Sequence, residues 1–220
     1  MDVPGEIRAQ LRAAADPSRA AGQQAYMKST MPFLGVRVPA TRTIARRIGA
    51  ELHDASAVRR AARSLWDSAG YREERYAAMA LLGLPVVHGD PANVELVEHM
   101  VRTGRWWDIT DELAHRLADL HDHHPARAAE VVLTWCRDPD LWIRRIAILS
   151  QLGRRARLDR EVLSATIAPN LDDPDFFLRK AIGWALRDYA RVDPDWVLAY
   201  AARHELSPLS RREALKHLRP

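Results

Sequence analysis

The chain has 220 residues, of which 47% are hydrophobic and 28% are charged, proportions that are typical of a soluble globular protein and exclude a mainly disordered chain. No stretch approaches the roughly 18 consecutive apolar residues of a membrane span, and the first residues lack the pattern of a signal peptide, so we expect a cytoplasmic protein. The 33 Lys and Arg outnumber the 29 Asp and Glu, and all but three of these cations are arginine, which favours a polyanionic partner unless GC-rich coding explains the bias.

Apolar residues recur at three- and four-residue steps along the whole chain, and no segment alternates as a β-strand would, which predicts an all-α protein. We expect about a dozen helices of roughly 10 to 18 residues. Between them lie short polar breaks in which Asp caps a helix and Pro stands near its start. In chain order the breaks fall at 15–18, 88–91, 123–125, 137–140, 172–175 and 192–195. Connections this short predict antiparallel helix pairs.

Five of the predicted helices have related sequences, represented by REERYAAMALL, WWDITDELAHRL, LWIRRIAILSQL, FFLRKAIGWALRDYA and LSRREALKHL. One position of this repeat recurs every 35 residues, with a last interval of 32, and is mostly cationic: Arg75, Thr110, Arg145, Lys180 and Arg212. A second position carries aromatic residues, again 35 apart: Trp107, Trp142 and Phe177. Such repeats predict an α-solenoid of HEAT-like helix pairs, with about six repeats in a curved single domain over residues 1–220 and a basic concave face.

The repeated cations have two interpretations. If Arg75, Arg145, Lys180 and Arg212 occupy equivalent positions, they form a basic stripe that could neutralise phosphates along a duplex. Alternatively, they belong to a solvated charged face with ion pairs between repeats. The sequence leaves both interpretations open.

The segment GRWWDITDELAHRL contains two aspartates with different expected roles. Asp108 falls in the first turn of a helix expected to begin near Arg105, where a carboxylate is favoured by the helix N-terminus, so we assign it to structure. Asp111 stands where other repeats carry an apolar residue, and it shares a helix face with Trp107. This pairing indicates a functional site, although a buried Asp111 paired with Arg145 would be a structural alternative. Trp106 points away from Trp107 and is assigned to the core.

A second functional face is predicted in LRKAIGWALRDYA. Lys180, Trp184 and Arg187 fall at i, i+4 and i+7, which places a tryptophan between two cations, and the neighbouring Gly183 removes bulk. The core is the alternative for Trp184. Trp66, Trp135 and Trp196, in the opposite helix layer, are assigned to the core, as is the single cysteine, Cys136. The histidine run His121–His124 is expected to lie in an exposed loop and to bind no metal.

Five segments together resemble the AlkD family of DNA alkylation-repair glycosylases. They are AYMKSTMPFLGVRVPATR (25–42), GRWWDITDELA (104–114), LWIRRIAILSQL (141–152), FFLRKAIGWALRDYA (176–190) and ELSPLSRREALKHL (205–218). The resemblance covers the chain in order and implies a HEAT-like-repeat enzyme that excises purines alkylated at N3 or N7, without a cofactor. It also implies that the base need not be flipped into a pocket. By motif, the catalytic residues are Trp107, Asp111 and Trp184, with Arg145 as a nearby backbone contact.

The chemistry of these residue types suits that reaction. Alkylation places a positive charge on the purine, so that the base leaves readily and needs no protonating acid. A carboxylate such as Asp111 can stabilise the oxocarbenium-like sugar and orient or deprotonate the attacking water. The indole faces of Trp107 and Trp184 attract cationic groups.

The expected partner is double-stranded DNA that contains alkylated purines, bound by a monomer. The cytoplasmic protein is therefore expected to be nucleoid-associated when it binds DNA. Most of the expected phosphate contacts are cations in the C-terminal half of the chain: Arg145, Arg154, Arg155, Lys180, Arg187, Arg211, Arg212 and Lys216. Tyr26 and Arg42 match N-terminal positions that approach DNA in similar proteins, whereas Val38 stands where a polar contact residue is expected. Two alternatives remain: a noncatalytic HEAT-like module that binds nucleic acid or protein, and a related glycosylase with a different lesion range.

Overall fold

The structure is a computed structural model, and it describes residues 2–218. Within that range the chain forms thirteen α-helices, three short 3-10 turns and no β-strand, which confirms the all-α prediction. None of the helices in the described range is both long and apolar enough to cross a membrane. The chain divides into two compact units, the first ending at His88 and the second beginning at Gly89.

The first unit contains five α-helices. They are α1 (Val3–Ala13), α2 (Pro17–Met27), α3 (Val38–Gly49), α4 (Ala55–Asp67) and α5 (Arg72–Leu81), followed by a 3-10 turn at Pro85–Val87. Helix α5 packs against α1, α3 and α4. The buried Glu73 at its start accepts hydrogen bonds from the backbone N–H groups of Leu34, Gly35 and Val36, at 2.9, 2.9 and 3.2 Å. These bonds satisfy buried donors and fix the loop that leads into α3.

The second unit contains eight α-helices. They are α6 (Asn93–Gly104), α7 (Trp107–His123), α8 (Pro125–Trp135), α9 (Leu141–Leu149), α10 (Arg160–Ile167), α11 (Phe176–Tyr189), α12 (Pro194–Arg203) and α13 (Pro208–Ala214), with 3-10 turns at Arg155–Arg157 and Ala168–Asn170. Helices α7, α9, α11 and α13 pack in sequence against one another, and α6, α8, α10 and α12 pack behind them. This arrangement confirms the predicted solenoid of helix pairs. The prediction of one curved domain over residues 1–220 stays a prediction.

The predicted Asp caps are present at four breaks. Asp16, Asp140, Asp175 and Asp193 are the N-cap residues of α2, α9, α11 and α12, and each side chain accepts a backbone N–H of the first turn. The capping bonds satisfy donors that a helix leaves unpaired at its start. The other two breaks differ, because α6 follows Ala92 and α8 follows His124, and neither residue supplies a side-chain cap.

The repeat register shifts at the start of α7. Its N-cap is Trp106, and Arg105 lies before it in a left-handed conformation (φ 44°) that ends α6. The prediction that Trp107 shares the position of Trp142 and Phe177 is therefore wrong. It is Trp106 that packs with those two rings, at centroid distances of 5.8 and 5.6 Å. The predicted core role of Trp106 fits this cluster, and Trp107 is left to face a different environment.

Candidate active site

A cleft of about 250 Å³ lies along α7, α9 and α11 of the second unit and is open to solvent. Its walls combine aromatic side chains with ionisable ones. They are Trp107, Asp111, Arg145, Phe176, Phe177, Lys180, Trp184 and Arg187. The structure thus brings together the three residues predicted to be catalytic, one from the start of α7, one from its second turn and one from the middle of α11. An aromatic cleft with few polar groups is typical of a ligand site.

Asp111 is the only carboxylate among the residues that line this cleft, and Arg145 holds it in place. Arg145 Nε donates to Asp111 Oδ1 and Nη2 donates to Oδ2, both at 2.8 Å, while Nη1 donates to the carbonyl oxygen of Phe177 at 2.5 Å. The side chains of Arg145 and Asp111 are only 4% and 16% exposed. A bidentate pair of this kind fixes both the position and the plane of the carboxylate. Because each carboxylate oxygen has a second lone pair, Asp111 can still accept a hydrogen bond from a water molecule.

Opposing effects act on the pKa of Asp111. Burial raises the pKa of Asp111 above its ordinary value, the Arg145 guanidinium counteracts this shift, and the nearby Asp108 adds to it. Asp108 occupies the first turn of α7, as predicted. The negative charge of Asp108 therefore contributes to the raised pKa of Asp111, and the structural role of Asp108 stays a prediction.

Glu213 connects the two cations that flank Trp184, and this contact was not predicted from the sequence. Glu213 lies on α13 and forms ion pairs with Lys180, at 2.7 Å from Nζ to Oε1, and with Nη1 of Arg187. Hydrogen bonding from Lys180 and then from Arg187 holds the pKa of Glu213 below its ordinary value against the effect of burial. The predicted placement of Trp184 between two cations is correct along α11, but both cations are paired.

The predicted basic stripe is not present between α9 and α11. Arg145 is buried against Asp111, and Lys180 is paired with Glu213. The alternative interpretation, ion pairs between repeats, describes these positions. Arg212 on α13 is exposed, and Arg75 belongs to the first unit, where its guanidinium lies 4.7 Å from the centre of the Trp66 ring.

The other predicted phosphate contacts differ in their surroundings. Arg154 is buried, and its nitrogens donate to Asp122 Oδ1 at 2.9 Å, Gln151 Oε1 at 2.5 Å and the His121 carbonyl at 3.4 Å. This geometry favours a structural role for Arg154. The exposed cations of the set are Arg155, Arg211, Arg212 and Lys216.

The predicted N-terminal contacts lie in the first unit. Tyr26 near the end of α2 is 76% exposed, and Arg42 on α3 is partly exposed. Val38 is the first residue of α3 and is also exposed, so that an apolar side chain occupies the position where the resemblance led us to expect a polar one. Tyr26 thus lies at the surface, and its contact with DNA stays a prediction.

The histidine run does not form the predicted exposed loop. His121 and His123 belong to the last turn of α7, and His124 caps it. His121 is buried, and burial followed by the charge of Arg154 lowers its pKa to about 4. Within residues 2–218, no three His, Cys, Asp or Glu side chains converge as ligands for a metal ion would.

The residues assigned to the core mostly lie there. Trp66, Trp135 and Cys136 are buried, and burial raises the pKa of the Cys136 thiol. Trp196 on α12 is partly exposed and packs edge-on against Tyr189, with ring centroids 5.4 Å apart. The cleft also contains a residue that the sequence analysis missed, the 57% exposed Phe176. Phe176 is the first residue of α11, so its exposure depends on where that helix begins, which the periodicity of apolar residues does not show.

Fold and site together define a helical-repeat protein in which a buried arginine presents a carboxylate in an aromatic cleft. The sequence matches the family model described as DNA alkylation repair enzyme over residues 7–218, and the chain belongs to this family. A predicted DNA alkylation repair enzyme from Enterococcus faecalis has a similar structure, with a TM-score of 0.83 and 26% identity over 93% of this chain and 96% of that one.

A second similar structure is AlkD2 from Streptococcus mutans, with a TM-score of 0.65 and 19% identity over 83% of this chain and 90% of that one. At this level of identity the similarity shows the fold alone. No curated protein matches the sequence.

Proposed function

We propose that the protein is a DNA glycosylase of base excision repair that hydrolyses the N-glycosidic bond of cationic N3- or N7-alkylated purines, such as 3-methyladenine and 7-methylguanine, in double-stranded DNA. The observation that carries this proposal is the Asp111 carboxylate, which buried Arg145 holds by two hydrogen bonds in a cleft lined by Trp107 and Trp184. Membership of the DNA alkylation repair enzyme family supports DNA as the substrate.

The proposed reaction needs little from the enzyme beyond electrostatics. When the bond from C1′ to the purine nitrogen breaks, its electron pair goes to the base, which leaves as a neutral molecule, and C1′ becomes oxocarbenium-like. The ionised Asp111 stabilises that positive charge. A water molecule then forms the new bond to C1′, and its proton passes to Asp111 or to solvent, which leaves an abasic site.

The tryptophans of the cleft give the site its preference for cationic bases. An indole face attracts a cation by about 0.5–2 kcal/mol, so that Trp107 and Trp184 favour the alkylated base over an undamaged neutral one. The cleft is open to solvent, whereas an everted base requires a pocket that encloses it. We therefore propose that the lesion is processed without base flipping.

The DNA backbone is proposed to contact the exposed cations rather than the paired ones. In the second unit these are Arg155, Arg211, Arg212 and Lys216, whereas Lys180 and Arg187 are held by Glu213. Arg154 is left out because its nitrogens are already bonded inside the protein. Tyr26 and Arg42 remain proposed contacts in the first unit. Monomeric action and a cytoplasmic location also remain proposals.

The test is release of 7-methylguanine from a methylated duplex by the wild type and by Asp111→Asn. We expect release by the wild type and a decrease of about 100-fold or more in the variant, as for other preorganised charge-stabilising groups. The matched control is Asp122→Asn, because Asp122 also pairs with a buried arginine, Arg154, but outside the cleft and through one oxygen only, while its other oxygen pairs with Arg157.

The outcomes separate the alternatives. Wild-type activity in the control and its loss in Asp111→Asn would support the proposed mechanism. Equal release by wild type and Asp111→Asn would contradict it. If none of the three proteins releases a base but all bind DNA, the noncatalytic binding module becomes the better description.

A further inference from the structure

Glu213 lies at the edge of the cleft, and the proposed reaction gives it no role. Its carboxylate is 12% exposed and forms ion pairs with both Lys180 and Arg187. These two residues stand four before and three after Trp184 on α11, so that either cation is within reach of the indole. The position of Glu213 therefore decides where two cations lie relative to Trp184.

Close packing of α11 and α13 fixes that position. A Cβ atom on Gly183 would lie 2.5 Å from Glu213 Cβ and 2.8 Å from the Ser210 carbonyl oxygen. Only a residue without a side chain allows this approach, since real Cβ contacts are longer. Ser210 Oγ also donates to the carbonyl oxygen of Arg179 at 2.9 Å. Glu213 is thus held at α11 by contacts that do not involve its own charge.

The cations that flank Trp184 are directed away from it. Cations near an indole are drawn to its face, and Arg75 shows this behaviour over the Trp66 ring, at 4.7 Å. In the described part of the chain, the cation–π contacts lie at other rings, and neither Lys180 nor Arg187 covers the Trp184 ring. Both donate to Glu213 instead.

The charges around the cleft balance. Three cations, Arg145, Lys180 and Arg187, face three carboxylates: Asp111 in the lining, Glu213 paired with Lys180 and Arg187, and Asp108, whose charge acts on Asp111. Without Glu213 one net positive charge would remain, and both released cations could reach the indole. A cationic base would then meet electrostatic repulsion and competition for the same aromatic face.

We propose that Glu213 is a specificity-determining positioning residue, which holds Lys180 and Arg187 off the Trp184 indole and so keeps that face open to a positively charged base. This inference rests on the proposed function of the same cleft. Glu213 does not contact the substrate in this scheme and acts through the two cations. It disfavours tight binding to undamaged phosphate backbone and favours recognition of the cationic lesion.

The experiment compares wild type with Glu213→Gln in two assays. The first measures affinity for an undamaged duplex over a series of salt concentrations. We expect tighter binding at low salt and a plot of log affinity against log salt that is steeper by about one unit, because one of the two released cations reaches a phosphate. The second measures release of 7-methylguanine with enzyme in excess, and we expect a decrease on the order of tenfold, because the other released cation occupies the indole face.

Two control variants distinguish this role from simple helix docking. Ser210→Ala removes the hydrogen bond to Arg179 at the same interface without changing charge. Glu213→Asp keeps the charge and should restore a salt slope close to that of the wild type. If Ser210→Ala reproduces the steeper slope, or if Glu213→Gln leaves the slope unchanged, the inference is wrong.

The binding assay does not depend on catalysis. If the wild type releases no base, the proposed function fails, but the slope of Glu213→Gln on undamaged DNA still shows whether Glu213 restrains the two cations. An unchanged slope overturns the inference in either case, and a steeper slope that Glu213→Asp restores supports it.

Discussion

Arg145→Met should destabilise the protein. It should also slow the reaction proposed for Asp111, although Arg145 itself takes no part in that reaction. The change removes two hydrogen bonds of 2.8 Å to the Asp111 carboxylate and one of 2.5 Å to the Phe177 carbonyl oxygen. It leaves Asp111, whose side chain is 16% exposed, without its counter-charge. A buried charge that loses its partner costs more than the pair contributed.

The expected cost follows from the burial of the pair. Removing one partner of a buried ion pair costs about 3–5 kcal/mol, and the partial exposure of Asp111 places the expected loss near 3 kcal/mol. For a chain of 220 residues this corresponds to a fall in Tm of roughly 10 °C. The double variant with Asp111→Asn should be more stable than the sum of the single effects predicts, with a coupling energy of about 2 kcal/mol.

The assay is a double-mutant cycle measured by urea denaturation, together with the pH dependence of base release. Arg145 opposes the effect of burial on the pKa of Asp111. Without it this pKa rises further, so that the acid limb of the activity profile moves to higher pH. Additive stability effects, or an acid limb that does not move, would refute the idea that Arg145 holds and ionises Asp111.

Two further predictions concern stability. His121, with a pKa of about 4 in the fold against 6.5 for an ordinary histidine, binds its proton more readily when unfolded, so the free energy of unfolding should fall by about 3 kcal/mol as pH drops from 6.5 to 4. His121→Gln should flatten that dependence in urea denaturation, and an equally steep curve would count against it. Gly183→Ala should lower the free energy of unfolding by about 1–3 kcal/mol through the clash with Glu213 and Ser210. The matched change is Gly22→Ala in α2, where no atom lies within 4 Å of the added Cβ. It should instead raise the free energy of unfolding by about 0.4–1 kcal/mol. Equal effects of the two substitutions on thermal unfolding would contradict the packing described for α11 and α13.

Local signals predicted much of the fold. The Asp–Pro breaks located the starts of α2, α9, α11 and α12, because a capping carboxylate and the φ angle of proline act within one helical turn. The 35-residue repeat identified the helices that line the cleft. Asp111 also stood out in the sequence, because the 35-residue spacing aligned it with apolar residues. The later start of α7 instead makes it the fifth residue of its helix, the position of Arg145 in α9 and of Lys180 in α11.

The parts that could not be predicted depend on contacts between distant residues. The shift that places Trp106 beside Trp142 arises from the left-handed residue Arg105, which ends α6 and delays the start of α7. The pairing of Glu213 with Lys180 requires the close approach of α13 to α11 at Gly183.

The burial of Arg154 was not predicted from the sequence, whereas the buried pair of Asp111 and Arg145 was one of the alternatives that the sequence left open. Arg145 and Arg154 occur in arginine pairs that look alike along the chain, yet both lie buried against an aspartate on α7. The repeat pattern left both a phosphate contact and an ion pair open for Arg145, and the family resemblance suggested a phosphate contact for Arg154. Packing determines which guanidinium groups reach solvent.

The most direct measurement of the central claim is the single-turnover rate of 7-methylguanine release from a defined duplex, at enzyme concentrations that saturate binding. Under those conditions the rate reports bond cleavage rather than affinity. We expect Asp111→Asn to bind the duplex as the wild type does and to cleave at least about 100-fold more slowly. A rate equal to that of the wild type at matched occupancy would show that the Asp111 carboxylate does not carry the reaction.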